Sequence, residues 1–134
     1  MPTILVIDDD PHTRHLLAHV LQREGHYVVV AEDGIEGVAK HHAELPDLVI
    51  TDMNMPKQGG VETIIKIRQR NPTAKIVVMS GSGDFDGTYP LIDANRFGAV
   101  EVLSKPFKMS ELAACVGRVL SNLLGQDNGH ALAE

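Results

Sequence analysis

Three aspartates stand in a row, Asp8-Asp9-Asp10, directly after the apolar run Ile4-Leu5-Val6-Ile7. Other apolar runs also end in reactive side chains: residues 47–51 lead into Asp52-Met53-Asn54, 75–79 into Ser80, and 100–103 into Ser104-Lys105-Pro106. If these ends share one rim, it carries three or four carboxylates, a hydroxyl and an ammonium. Two like charges about 4 Å apart repel by roughly 4 kcal/mol at an effective dielectric of 20, so Asp8, Asp9 and Asp52 cannot sit together ionised without a cation. Oxygen-only ligands select a hard ion, and one to three carboxylates plus waters suit Mg²⁺. Lys105 can neutralise another part of the charge. Taken alone, the triplet is equally well turn and N-cap chemistry. Asp10 in particular, standing before Pro11, reads as a helix N-cap.

The elements that must position these groups follow from the hydrophobic pattern. Continuous β-branched runs at 4–7, Tyr27–Ala31, Asp47–Thr51, Lys75–Met79 and Val100–Leu103 read as strands buried on both faces. Between them lie helical patterns. Leu16, Leu17, Val20 and Leu21 share one face of a first helix that Gly25 can end. Ile35, Val38 and Ala39 line a second, and Val61, Ile64, Ile65 and Arg68 mark the inward edge of a third that stops at Asn71-Pro72. A weaker helix is expected from Tyr89 to Arg96, and a last one from about Ser110 with Leu112, Val116, Val119, Leu120 and Leu123 inward. Five strands alternating with five helices predict an α/β fold, a doubly wound parallel sheet with right-handed crossovers. Its active crevice lies beyond the carboxyl ends of the strands, which is where the acids, Ser80 and Lys105 fall.

Composition narrows the function. The chain has 134 residues, 43% of them hydrophobic and 22% charged, the profile of one globular domain. Twelve Lys+Arg against eighteen Asp+Glu give a net charge of −6, which argues against binding nucleic acid or an anionic membrane. The lone Cys115 excludes an internal disulfide and suits a reducing cytoplasm. No apolar run approaches the roughly 18 residues of a membrane span, and no signal peptide is expected.

Leu5-Val6-Ile7-Asp8-Asp9, Asp52-Met53-Asn54-Met55-Pro56, Met79-Ser80 and Lys105-Pro106-Phe107 together resemble the receiver domain of two-component response regulators, of the single-domain, chemotaxis-regulator type. The resemblance covers Thr3 to about Leu124, so a receiver domain is expected over 1–124 and a flexible tail over 125–134. It implies a flavodoxin-like (βα)5 sandwich with strand order 2-1-3-4-5. It also implies roles. Asp52 accepts a phosphoryl group from a phosphohistidine on a sensor histidine kinase or histidine phosphotransfer protein. Asp9 and Asp52 ligate Mg²⁺ with the Asn54 carbonyl, and Asp8 acts largely through a bound water. Ser80, Gly81, Asn54 and Lys105 surround the phosphoryl oxygens, and the Lys105–Pro106 bond is cis. Asn54 and Ser82 occupy positions that tune dephosphorylation. The chemistry is coherent, because phosphoryl transfer needs an in-line nucleophile and cations around the spreading charge rather than covalent work by the protein.

The chain departs from the family pattern in three places. Val102 stands where an aromatic usually reports the switch, which puts in doubt the coupling from Ser80 to the face made by the 89–96 helix, the fifth strand and the last helix. That face is still the one expected to carry a homodimer or a downstream protein target. The stretch from Ser80 to Lys105 is longer than usual and carries Gly81, Gly83 and Gly87, either as a slack insertion or as a lid that orders on phosphorylation. Gly59-Gly60 replaces the common Asp-Gly, a difference expected to matter only to the turn.

Other motifs are weaker. His12, His15 and His19 have helical spacing and His41-His42 are adjacent, but a solvated helix face is the simpler reading than a zinc site. Cys115 reads as a small buried hydrophobe. The leading expectation is a cytoplasmic, stand-alone response regulator that is not an enzyme beyond promoting its own phosphorylation and dephosphorylation. The rivals are a switch-impaired scaffold and a small aspartyl-phosphate phosphatase, and the Asp-x-Asp motif of the latter is missing at Asp52-Met53-Asn54.

Overall fold

The apolar runs pair as parallel strands in the computed structural model, which describes residues 1–53, 55, 58–81 and 99–132, with backbone alone for 99–100 and 122–132. Strands β1 (Thr3–Ile7), β2 (Tyr27–Ala31), β3 (Leu48–Asp52), β4 (Ile76–Ser80) and β5 (Ala99–Ser104) form one sheet in the order β2-β1-β3-β4-β5. All four neighbouring pairs are parallel, and β4–β5 has an irregularity at Ile76/Val77. Helices α1 (Pro11–Arg23), α2 (Gly34–Glu44), α3 (Gly60–Arg70) and α4 (Met109–Leu132) join them. The fold is the expected flavodoxin-like α/β one. The helix expected from Tyr89 to Arg96, Ser82 and the rest of the glycine-rich stretch beyond Gly81, and Asn54 lie outside the described residues.

Strand side chains alternate between two layers, as the pleat requires. Ile4, Val6, Ile50, Val77 and Met79 pack with Leu17 and Leu21 of α1 and with Leu112, Cys115, Val116 and Val119 of α4. Leu5, Ile7, Val49, Ile76 and Val78 pack on the other face with Ile64 and Ile67 of α3. Each fully buried aliphatic contributes about 1.5–3 kcal/mol, so the doubly covered sheet is the rigid frame of the molecule.

The helix starts follow local chemistry. Asp10 caps α1 through a bond from the His12 amide at 3.2 Å, with Pro11 in the first turn, and Gly25 after it takes φ 95°. Asp33 caps α2 from the Glu36 amide at 2.8 Å.

The helix rotations differ from the sequence pattern, for steric reasons. In α2 the buried positions are Gly34, Gly37 and His41, while Ile35 is 57% exposed and Ala39 faces outward. A Cβ on Gly37 would run into Ile7 Cδ1, so α2 is drawn onto β1 at backbone distance and its larger apolar residues turn away. In α3, Gly60, Thr63, Ile64 and Ile67 are inside, and Ile65 is 38% exposed in place of the expected inward residue. Leu16 of α1 lines the mouth of a surface cavity instead of the core. His41 is buried and not solvated, whereas His12, His15 and His19 are exposed as expected. Helix α4 runs on to Leu132; Gly125 and Gly129 weaken a helix by about 1 kcal/mol each but do not break it as proline would.

Helix α2 also reaches the sheet edge. Lys40 Nζ donates to the Val30 carbonyl at 2.6 Å, and Glu36 accepts from the Glu32 amide at 3.0 Å.

Candidate functional site

The strand order brings β1 and β3 side by side, with Ile7 opposite Thr51. The residues that follow these positions, Asp8 and Asp52, therefore emerge together at the carboxyl edge. One carboxylate oxygen from each of Asp8, Asp9 and Asp52 lies within 4.8 Å of the others, and this is the single such cluster of metal-ligating side chains among the described residues. Asp8 is 1% exposed and Asp52 6%, while Asp9 faces solvent.

Each acid is held differently. Asp8 Oδ1 accepts from the Asp10 amide at 2.9 Å, and the Asp8 amide donates to the Ala31 carbonyl at 3.1 Å. Its Oδ2 is buried without a partner among the described residues. Burial is the main reason the Asp8 carboxyl is pushed up to about 6; the neighbouring Asp52 and Asp9 add to the rise, while the Asp10 amide and Lys105 oppose it. Asp52 pairs with Lys105, Nζ to Oδ1 at 3.2 Å. The Lys105 amide donates to the Ser80 carbonyl at 2.7 Å and the Lys105–Pro106 peptide is cis. The bond to the Ser80 carbonyl holds the end of β5 beside the end of β4, from where the Lys105 side chain reaches Asp52. Ser80 is buried at the end of β4, one residue beyond Met79, the register partner of Asp52.

The structure thus gathers Asp8, Asp9, Asp52 and Lys105, and sets Ser80 and Gly81 at the end of the neighbouring strand. Asn54 and Ser82 lie outside the described residues. Val102 is half-buried opposite Val78 and packs on the α3 side of the sheet.

The donor set fits a hard divalent cation. It is oxygen-only, it clusters three acids, and the unpartnered Asp8 Oδ2 is a buried acceptor that an ion or its water shell would satisfy. Beside it, a cavity of about 460 Å³ opens between α1 and the β5–α4 connection, lined by Leu16, Leu17, Gly81, Lys105, Phe107 and Met109.

Two residues near the site were not legible as such from sequence. A Cβ on Gly60 would stand 2.7 Å from the Asp52 carbonyl oxygen and 2.8 Å from Met53 Cα, so the start of α3 seats directly against the acid-bearing backbone. Gly60 is the glycine that the common Asp-Gly shares; at Gly59, where this chain departs from it, a Cβ would stand 3.7 Å from the Met53 carbonyl oxygen, an ordinary contact. Arg14, which in sequence merely interrupts a row of histidines, donates from Nη1 to the Asp8 carbonyl at 2.7 Å.

Known proteins agree with this architecture. The family model described as Response regulator receiver domain matches residues 4–117. Chemotaxis protein CheY of Bacillus subtilis is 31% identical over 119 residues, covering 88% of this chain and 97% of that protein. The DNA-binding transcriptional regulator NtrC of Salmonella typhimurium is also 31% identical over 119 residues, covering 89% of this chain. The chain spans 25% of the length of that NtrC and 48% of the PhoP regulatory protein of Bacillus subtilis. A solved receiver domain protein from Clostridium thermocellum superposes with a TM-score of 0.83 at 30% identity, covering 91% of this chain and 96% of that one. Among the described residues no helix is long and apolar enough to cross a membrane. Because the family match runs from β1 into α4, it rests on the whole sheet and not on one motif: the chain belongs to the response regulator receiver domains of two-component signalling.

Proposed function

We propose that the chain accepts a phosphoryl group on Asp52 from a phosphohistidine donor, a sensor histidine kinase or a histidine phosphotransfer protein, and signals by phosphorylation-dependent binding to a downstream protein target. The observation that carries this reading is the convergence of three acids within 4.8 Å of one another with the Lys105 ammonium 3.2 Å from Asp52. An Asp52 oxygen attacks phosphorus as the bond to the donor imidazole breaks. Lys105 holds the Asp52 carboxylate in place and then meets charge on the phosphoryl oxygens. Asp9 and Asp52 would hold Mg²⁺ directly and Asp8 largely through a bound water, with the Asn54 carbonyl implied by the family. The bound ion would supply charge neutralisation at the phosphoryl oxygens. Ser80 and the Gly81 backbone complete the phosphoryl site, and Asn54 and Ser82 set access for the hydrolytic water.

The receiver unit spans 1–124 and works in the cytoplasm as a regulator and not as a turnover enzyme. Stand-alone output is supported by the likeness to a CheY matched over 97% of its length. The NtrC likeness, over 25% of that protein, supports the opposite arrangement, with receiver and output in one polypeptide. The size of the protein in its native cell separates the two. A homodimer through the β5–α4 side belongs to the same proposal.

Incubation with Mg²⁺ and a small acyl-phosphate donor, followed by intact-mass measurement, tests the chemistry. A single phosphoryl adduct is expected, absent in Asp52→Ala. No adduct from any donor would leave the second reading, a phosphorylation-independent scaffold. That reading draws on Val102, a half-buried aliphatic at the position where the family carries its switch aromatic.

A further inference from the structure

Asp9 is the one acid of the cluster whose carboxylate has no hydrogen bond or ion pair among the described residues. Asp8 is held through Oδ1 by the Asp10 amide and Asp52 by Lys105. The direction in which Asp9 projects is therefore set by its backbone, and that backbone is the peptide whose carbonyl belongs to Asp8. A peptide unit is planar, so fixing the Asp8 C=O also fixes the Asp9 N–H and the start of the Asp9 Cα–Cβ vector. Arg14 Nη1 donates to that carbonyl at 2.7 Å, at the short end for a charge-assisted bond, from a half-buried position in α1. The far end of the acidic loop is already fixed by the first backbone bond of α1, from the Arg14 amide to the Asp10 carbonyl at 2.9 Å, which leaves the Asp8 carbonyl as the point the side chain holds.

We infer that Arg14 is a positioning residue for the metal site, clamping the Asp8–Asp9 peptide so that the otherwise unsupported Asp9 carboxylate faces Asp8 and Asp52. The inference rests on the function proposed above and extends it to a side chain that touches neither the ion nor the phosphoryl group. The guanidinium is suited to this because its planar fork loses little freedom on forming the bond.

The test compares wild type, Arg14→Met, Arg14→Lys and, as a control on the same helix, Arg23→Met. Two readouts are taken on the full chain: the Mg²⁺ midpoint by titration calorimetry, and the rate of acyl-phosphate-driven phosphorylation at graded Mg²⁺. Arg14→Met keeps most of the apolar stem and loses the donor. It should weaken Mg²⁺ about tenfold, the low end for loss of a group that orients a ligand. Phosphorylation at saturating Mg²⁺ should return to within about twofold of wild type, because the reacting groups are intact. Arg14→Lys, which keeps a donor, should recover most of the affinity, and Arg23→Met should behave as wild type. A Mg²⁺ midpoint unchanged in Arg14→Met overturns the clamp, even if that variant melts at a lower temperature. If Arg14→Met fails to fold, Arg14→Leu, which also lacks the donor, takes its place, and a Mg²⁺ midpoint equal to that of Arg23→Met then serves as the same refutation. Wild-type protein that neither binds Mg²⁺ nor takes a phosphoryl group refutes the underlying function and the clamp with it.

Discussion

Removing the charge of Asp8 should stabilise the metal-free protein and weaken its response to Mg²⁺. The Asp8 carboxyl, ordinarily at 3.8, is raised to about 6 in the fold, first by burial and then by Asp52 and Asp9. The native state therefore binds this proton more tightly than the unfolded chain. Stability is complete below the ordinary value, falls as pH rises through the folded one, and is lowest above it. The difference corresponds to about 3 kcal/mol at pH 8. Asp8→Asn keeps the acceptor for the Asp10 amide and leaves an amide where Oδ2 had no partner, so about 3 kcal/mol is an upper value. For a chain of this length that is a rise of roughly 10 °C in melting temperature at pH 8 in a chelator. At pH 4 the variant and wild type should differ little. Adding Mg²⁺ should raise wild type toward the variant by mass action and move the variant less, because Asp9 and Asp52 remain. Calorimetry at the two pH values, with and without Mg²⁺, reads all of this. An Asp8→Asn protein less stable than wild type at pH 8 without metal, or stabilised by Mg²⁺ as much as wild type at the same concentration, would refute the clustered-acid account.

Three further outcomes are expected. Asp52→Asn should also stabilise the metal-free protein, but by less than Asp8→Asn, because it gives up the 3.2 Å pair with Lys105; equal or larger gains in denaturant melts would contradict the geometry. Gly60→Ala should cost about 1–3 kcal/mol and slow phosphorylation, since the new methyl meets the Asp52 carbonyl, while Gly117→Ala on open helix surface should gain up to about 1 kcal/mol. His41, whose ring nitrogens have no partner among the described residues, is held below the ordinary histidine range by burial and then by His42. Its neutral form thus supports the fold above about pH 6.5, and that support is lost on acidification. His41→Leu should flatten the acid side of the stability curve, and an unchanged pH dependence in urea melts would count against it.

The acid rim was legible in sequence because its residues directly follow continuous apolar runs, and parallel topology sends every such end to one edge. Strand order came from the resemblance to receivers, which the sheet reproduces. The helix faces were harder to see. Hydrophobic periodicity assumes that the inward residue is the large one, and in α2 the inward residues are Gly34, Gly37 and His41. In α3 the rotation is set by Gly60 against Asp52, which moves Ile65 outward and Ile67 inward. Arg14 escaped notice because a hydrogen bond from a side chain to a backbone carbonyl six residues away leaves no spacing signature.

Helix α2 joins the sheet by close backbone approach and offers few large apolar side chains to the core. The same helix supplies Lys40 and Glu36, which occupy polar groups along and just beyond β2, the outermost strand. Tyr27-Val28-Val29-Val30 is rich in residues that favour strand pairing, and strand edges of that kind recruit other chains when uncovered. Local opening of α2 would therefore bare an adhesive edge while the rest of the sheet is still folded. The aggregation hazard of this protein is tied to how often one glycine-faced helix lifts, and acidification, which works toward charging the buried His41 of that helix, makes lifting more frequent.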